Sequence, residues 1–153
     1  MLKALLKIGI FKPLPLDTSP KLAPDTTDKV AYGKYISTAL FDCSGCHSLS
    51  FETQNILEPE KTRGFMGGGN VILDDDFKKV KSRNITPHPE FGIGKWNIDQ
   101  FKNAIRDGVR PDGNGLNAVM PKLVILTDHE IESVWAYLQT VPPLETKTDE
   151  MDH

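Results

Sequence analysis

Cys43-Ser44-Gly45-Cys46-His47 is the stretch that decides how this chain folds. Two cysteines separated by two residues, with a histidine directly after the second, form the attachment signature of a c-type haem. Both thiols make thioethers to the porphyrin, and the histidine ligates its iron. The spacing has a mechanical reason: the cysteines hold one edge of the macrocycle, and a histidine next to the second reaches the metal without a long intervening loop. A thioredoxin-like dithiol and half of a zinc site are the competing readings. A dithiol should follow a strand and open a helix in a βαβ setting, which this flank does not resemble. A structural zinc site recruits a further Cys or His pair, whereas the chain has only 2 cysteines and its other histidines, His88, His129 and His153, are scattered.

At 153 residues the chain fits one domain that can bury a cofactor-centred core. Hydrophobic content of 39% and charged content of 25% place it among soluble globular proteins rather than disordered or membrane-spanning ones. The net charge of -3, made more negative by haem propionates, gives no reason to expect a nucleic-acid partner. With both cysteines committed to haem, none is left for a disulfide, so cysteine usage does not by itself report the redox compartment.

The N-terminus begins like a basic, apolar targeting segment, but Lys3, Lys7 and Lys12 interrupt it and Pro13 and Pro15 follow. No run approaches the roughly 18 apolar residues of a membrane span. The segment reads either as the remainder of an anchor or precursor or as an arm packed on the domain. We take 1–27 as the arm, 28–143 as the domain and 144–153 as a flexible charged tail.

Asp28 is placed to cap a helix whose face, Tyr32, Ile36, Ala39 or Leu40, and Cys43, leads into the haem motif. Periodicity is poor over 48–82, where Pro59, Gly67-Gly68-Gly69-Asn70 and Asp74-Asp75-Asp76 signal turns and Val71-Ile72-Leu73 could form a short strand. The glycine run lacks GxxxxGK[ST], so it reads as a turn or a close backbone approach rather than a phosphate loop. Met66, beside it, is a conceivable iron ligand and an ordinary inward-packing loop residue. Asn97 with Gln100 predicts a capped helix carrying Ile98, Phe101, Ala104 and Ile105 on one side and ending at Gly108. Thr127 with Glu130 predicts a last helix with Ile131, Val134, Trp135 and Leu138 as its buried stripe, stopped by Val141-Pro142-Pro143.

Taken together, the CxxCH motif, Asn84-Ile85-Thr86-Pro87, Gly92-Ile93-Gly94-Lys95-Trp96, the run from Arg106 through Asp107-Gly108-Val109-Arg110-Pro111-Asp112-Gly113, and Met120-Pro121 resemble the class I c-type cytochromes. The likeness is to monohaem relatives of the cytochrome subunits of bacterial alcohol and aldehyde dehydrogenases, and it covers most of 31–143. It implies an all-α cytochrome c fold, with helices and long loops enclosing one haem c, and a place in the periplasm or at the outer face of a membrane. Carried over by position, His47 is the proximal and Met120 the distal iron ligand. A turn-rich loop before Met120 and Pro121 after it agree with that role. The resemblance also points to Arg83, Asn84, Ile85 and Trp96 as the propionate neighbourhood. Arg and the Trp and Asn N–H groups are suitable donors to a carboxylate, while surface charge for Arg83 and core packing for Trp96 are the plain alternatives. Ile85, Phe91, Ile93, Phe101, Leu116, Val119 and Leu123 are candidates for the water-excluding wall, and Trp135 for a helix crossing. No proline closely follows His47 to supply its ring with a backbone acceptor, and Pro59 is the nearest candidate further along.

The function implied is electron transfer through a His/Met haem to redox partner proteins, with a dehydrogenase or terminal oxidase as candidates, without enzymatic activity. Two other functions stay in view. One is a haem enzyme or gas sensor in which the methionine yields its position, and the other is a haem-bearing module of a larger dehydrogenase or oxidase.

Overall fold

The computed structural model describes residues 22–148, with Gly9, Leu16 and 18–20 before them. The expectations for most of the N-terminal arm, and for Met1, Met151 and His153, lie outside the described residues. The fold is all-α with one small hairpin. Helix α1 (Lys29–Tyr35) runs into a π-helical turn, Ile36–Leu40, and then into the short α2 (Cys43–Cys46). Strands β1 (Val71–Leu73) and β2 (Lys79–Lys81) pair antiparallel, with Ile72 opposite Val80. Helices α3 (Ile98–Asp107) and α4 (Asp128–Leu138) follow.

Local chemistry sets the helix starts. The Asp28 carboxylate accepts from the Val30 and Ala31 N–H groups at 3.1 and 3.0 Å. Both later helices begin with a complete capping box, Asn97 with Gln100 and Thr127 with Glu130. Gly108, at φ 71°, closes α3 in the left-handed conformation that glycine adopts without penalty.

Helices α1 and α4 cross at Gly33, where a Cβ would overlap the Ser133 backbone carbonyl. Two buried serines keep this contact smooth. Ser37 Oγ donates to Gly33 O and Ser133 Oγ to His129 O, each at 2.7 Å, so neither hydroxyl is left unsatisfied. Ile36, Ile131, Val134 and Leu138 fill the crossing, and each fully buried side chain of this size stabilises by about 1.5–3 kcal/mol. Helix α3 joins through Phe101 against Trp135, ring centroids 5.2 Å apart. Lys102 donates to Asp128 at 3.1 Å and to Glu132 at 2.9 Å at the surface of the same contact.

The stripe expected for the first helix changes partway. At the π turn the Phe41 N–H donates to Ile36 O at 3.0 Å, five residues back, and the face rotates. Ile36 and Ser37 are buried, while Ala39 and Leu40, one of which the stripe places inside, are both exposed.

The irregular segment between α2 and α3 is laced into the body by backbone bonds. Gly68 N–H donates to His47 O at 2.8 Å, Gly69 N–H to Ser82 O at 2.9 Å, and Ile85 N–H to Met66 O at 2.9 Å. Gly68, at φ 68°, lies where any Cβ would press on the Arg83 and Ser82 carbonyls, so the glycine run serves close backbone approach. Residues 144–148 were expected to belong to a loose tail, yet they run along the loop at Asn84. Asn84 Nδ2 donates to Leu144 O at 2.7 Å, Leu144 N–H to Thr86 Oγ1 at 3.2 Å, and Asn84 N–H to Thr148 Oγ1 at 3.3 Å.

Candidate functional site

The short α2 is built to present its cysteines. Asp42 precedes it with φ 45°, and its carboxylate accepts from the Gly45 N–H at 3.1 Å. Cys43 and Cys46 are free and half-buried. Burial, with smaller contributions from the Asp42 charge among others, pushes the Cys43 thiol up to about 12 and raises Cys46 in the same sense. A redox dithiol needs a lowered thiol pKa. These thiols are held the other way, which is not the poise of an activated dithiol.

His47 closes the helix with its N–H donating to Cys43 O at 2.8 Å. The ring is buried, and its Nδ1 lies 2.7 Å from Arg83 O. A carbonyl only accepts, so Nδ1 carries the proton and Nε2 keeps its lone pair. That is the arrangement of a metal-ligating imidazole whose second nitrogen is anchored. Burial lowers the His47 pKa, partly offset by the Arg83 carbonyl, which favours the neutral ring that ligation requires. The acceptor for His47 is therefore Arg83 and not Pro59. Gly68 explains how a residue 36 positions away reaches the ring, because it lets the chain carrying Arg83 lie close against the haem motif.

A cavity of about 410 Å³, within the range of small-molecule and cofactor sites, opens onto Cys43, Cys46, His47 and Met120. Arg83, Asn84, Ile85 and Trp96 also line it. So do Phe91, Ile93, Phe101, Leu116 and Val119, whereas Leu123 packs on the core outside the cavity. Met66 separates from Met120 here. It is fully buried in the core cluster and is absent from the cavity wall, which leaves Met120 as the methionine lining the site among the described residues. Trp135 likewise stays in the helix crossing.

Asn84 lines the cavity, but its amide is engaged elsewhere. Nδ2 donates to Leu144 O, and Oδ1 accepts from Thr86 N–H at 2.9 Å and from Thr86 Oγ1 at 2.7 Å. Its side chain thus ties the loop to the 144–148 segment. Thr148 and Arg110 are among the lining residues that the sequence reading does not assign to the site. Thr148 is buried through the Asn84 bond, and no local pattern marks it. Arg110 stands in the motif that carries the family resemblance, and that position was its only signal.

The donor set fits a haem. Two thiols spaced for thioether formation, an imidazole with its outer nitrogen already bonded, and a thioether face one largely apolar space. Among the described residues no group of three or more His, Cys, Asp or Glu could hold a separate metal ion, and no helix is long and apolar enough to cross a membrane.

An all-α domain whose CxxCH helix opens onto such a cavity has the architecture of a c-type cytochrome. Comparison with known proteins links the chain to the c-type cytochrome superfamily without selecting a subfamily. It is 33% identical over 125 residues to the fructose dehydrogenase cytochrome subunit of Gluconobacter japonicus, covering 80% of this chain and 23% of that protein. It is 30% identical over 107 residues to the cytochrome c subunit of the quinone alcohol dehydrogenase of Gluconobacter oxydans, 69% of this chain and 20% of that one. A diheme cytochrome c-type protein of Cereibacter sphaeroides is 26% identical over 140 residues, 88% of this chain and 44% of that protein. The chain thus spans less than half the length of each of these relatives. No protein-family model matches it.

Proposed function

We propose that this chain is a monohaem electron carrier, with haem c bonded to Cys43 and Cys46 and ligated by His47 and Met120. One observation carries the reading: both thiols, the anchored imidazole and the Met120 side chain line a single apolar cavity. When bound, haem supplies one-electron ferric/ferrous chemistry.

The chain's residues have separate tasks. Cys43 and Cys46 would hold the macrocycle, and the Arg83 carbonyl anchors the His47 ring through Nδ1, so that Nε2 would be the nitrogen offered to the metal. His47 and Met120 would hold the iron between them, and the soft thioether would favour a higher potential than a second histidine. Ile85, Phe91, Ile93 and Phe101 line the cavity and would keep water from the cofactor. Arg83 and Trp96 lie where they can meet the propionates. In this reading the haem domain is 28–143, and 144–148 complete its wall. The protein is not an enzyme, and its partners are redox proteins met through a small, transient interface.

The similarity to cytochrome subunits of dehydrogenases, of which the chain spans a quarter or less, favours a second reading. Here the chain is a haem-bearing module working with a dehydrogenase or terminal oxidase in the periplasm or at the outer face of the cytoplasmic membrane.

The test is mass and spectrum of the purified protein. Haem should stay with the denatured polypeptide, and the ferric protein should show the long-wavelength sulfur-to-iron band and resist cyanide at short times. Met120→Ala should lower the potential, remove the band and admit cyanide. Haem extracted by acidified organic solvent would refute the attachment. A Met120→Ala protein that kept the band would refute the ligand assignment and reopen the enzyme or gas-sensor alternative.

A further inference from the structure

Arg110 is held unusually firmly for an arginine on a loop. Its N–H donates to Asn114 O at 2.8 Å and its carbonyl accepts from Gly113 N–H at 2.9 Å, closing a tight turn. The bridge between Val109 and Gly115 fixes the base of that turn. Beyond the backbone, Nη2 pairs with Asp112 Oδ2 at 3.2 Å, which orients the guanidinium. Arg110 and Asp112 both line the haem cavity. Among the described residues, Arg110 Nε is the buried side-chain polar atom without a hydrogen-bond partner.

A buried N–H on a cationic group is costly to leave unpaired, and native structures rarely do so without reason. Asp112 cannot relieve it. Its carboxylate also accepts from the Asn114 N–H at 2.9 Å, and its oxygen meets Nη2 rather than Nε. Asn84, one of the candidate donors that line the cavity, has its amide engaged with Leu144 and Thr86. The acceptor that matches a fixed guanidinium edge is a planar carboxylate, and the haem of the proposed function brings two.

We propose that Arg110, oriented by Asp112, is the residue that binds a haem propionate through its Nε–H. This rests on the monohaem reading. Lys81, Arg83 and Glu90 are the other charged residues around the cavity, so the propionate field is the sum of Arg110, Lys81 and Arg83 against Glu90 and Asp112. Arg110 is a positioning residue: it touches the cofactor's carboxylate and leaves the axial ligands alone. A guanidinium paired with the propionate holds it ionised into acid. Without that pairing the carboxylate takes up a proton at higher pH, and the iron's potential becomes pH-dependent where it was flat.

The experiment is a reduction potential measured against pH on the intact holoprotein, for wild type, Arg110→Gln, Arg110→Lys and Arg106→Gln. Arg106, on α3 and paired with Asp128 outside the cavity, controls for loss of a distant positive charge. Mass and sulfur-to-iron spectrum come first, since a chain without covalent haem fails the monohaem reading and not this one. Arg110→Gln should keep both signatures, lower the potential and bend the potential–pH curve at higher pH than wild type. Arg110→Lys should bend in between, because an ammonium keeps the charge but loses the fixed edge, and Arg106→Gln should run parallel to wild type. If Arg110→Gln does not load haem, the lysine variant decides alone, its bend shifted upward in support. A curve for Arg110→Gln merely parallel to wild type, or for Arg110→Lys superposed on it, would overturn the assignment.

Discussion

Replacing Gly33 by alanine tests the contact that delivers the haem motif to its place. The new methyl would enter the Ser133 carbonyl and crowd Val134 N, which are backbone atoms that no rotamer change can move aside. The helices must separate, loosening Ile36 against Ile131, both essentially unexposed. Overpacking costs about 1–3 kcal/mol, and a clash with backbone belongs at the upper end. Alanine's better helix propensity returns about 1 kcal/mol, leaving a net loss of about 2 kcal/mol. For a domain of this size that lowers Tm by roughly 6–10 °C. Helix content followed by circular dichroism and haem absorbance should fall together, because α1 leads through the π turn directly to Cys43. A Gly33→Ala protein as stable as wild type would mean that the helices do not cross this closely, and the account of how the motif is positioned would fail.

Two further outcomes follow from the same structure. Met66→Ala should lower stability by about 2–5 kcal/mol in urea titrations while retaining the sulfur-to-iron band, because Met66 is fully buried in the core and does not line the cavity; loss of the band would exchange the roles of the two methionines. Glu132 accepts from Lys29 and Lys102, and these two partners hold its carboxyl down from 4.5 to about 2. Its contribution to stability is therefore present above the unfolded value and is lost as pH falls from about 4.5 to about 2. Glu132→Gln should melt below wild type at neutral pH and low salt, with the gap closing across that acid window; a gap that persisted at the acid end would refute the pairing.

What could be read without the fold shares one property, namely that its chemistry closes within a few residues. The CxxCH spacing is local, and so are the capping bonds of Asp28, Asn97 and Thr127 and the left-handed stop at Gly108. Apolar periodicity identified Ile131, Val134 and Leu138 because α4 is regular throughout. It failed at Ala39 and Leu40, where one π turn rotated the face. Met120 was favoured by resemblance and by Pro121, but its distinction from Met66 needed the cavity.

The remainder was settled by segments far apart in sequence. Arg83 reaches His47 only because Gly68 admits the chain beside it, and β2 exists only because the hairpin brings Lys79–Lys81 against Val71–Leu73. Asn84, a candidate cofactor donor from the sequence, lines the cavity, and its amide also anchors 144–148. Arg110 acquired meaning only when its Nε was found buried and unpaired. A sequence shows which donors and acceptors a residue owns, and only packing decides which of them are already satisfied and which remain for a ligand.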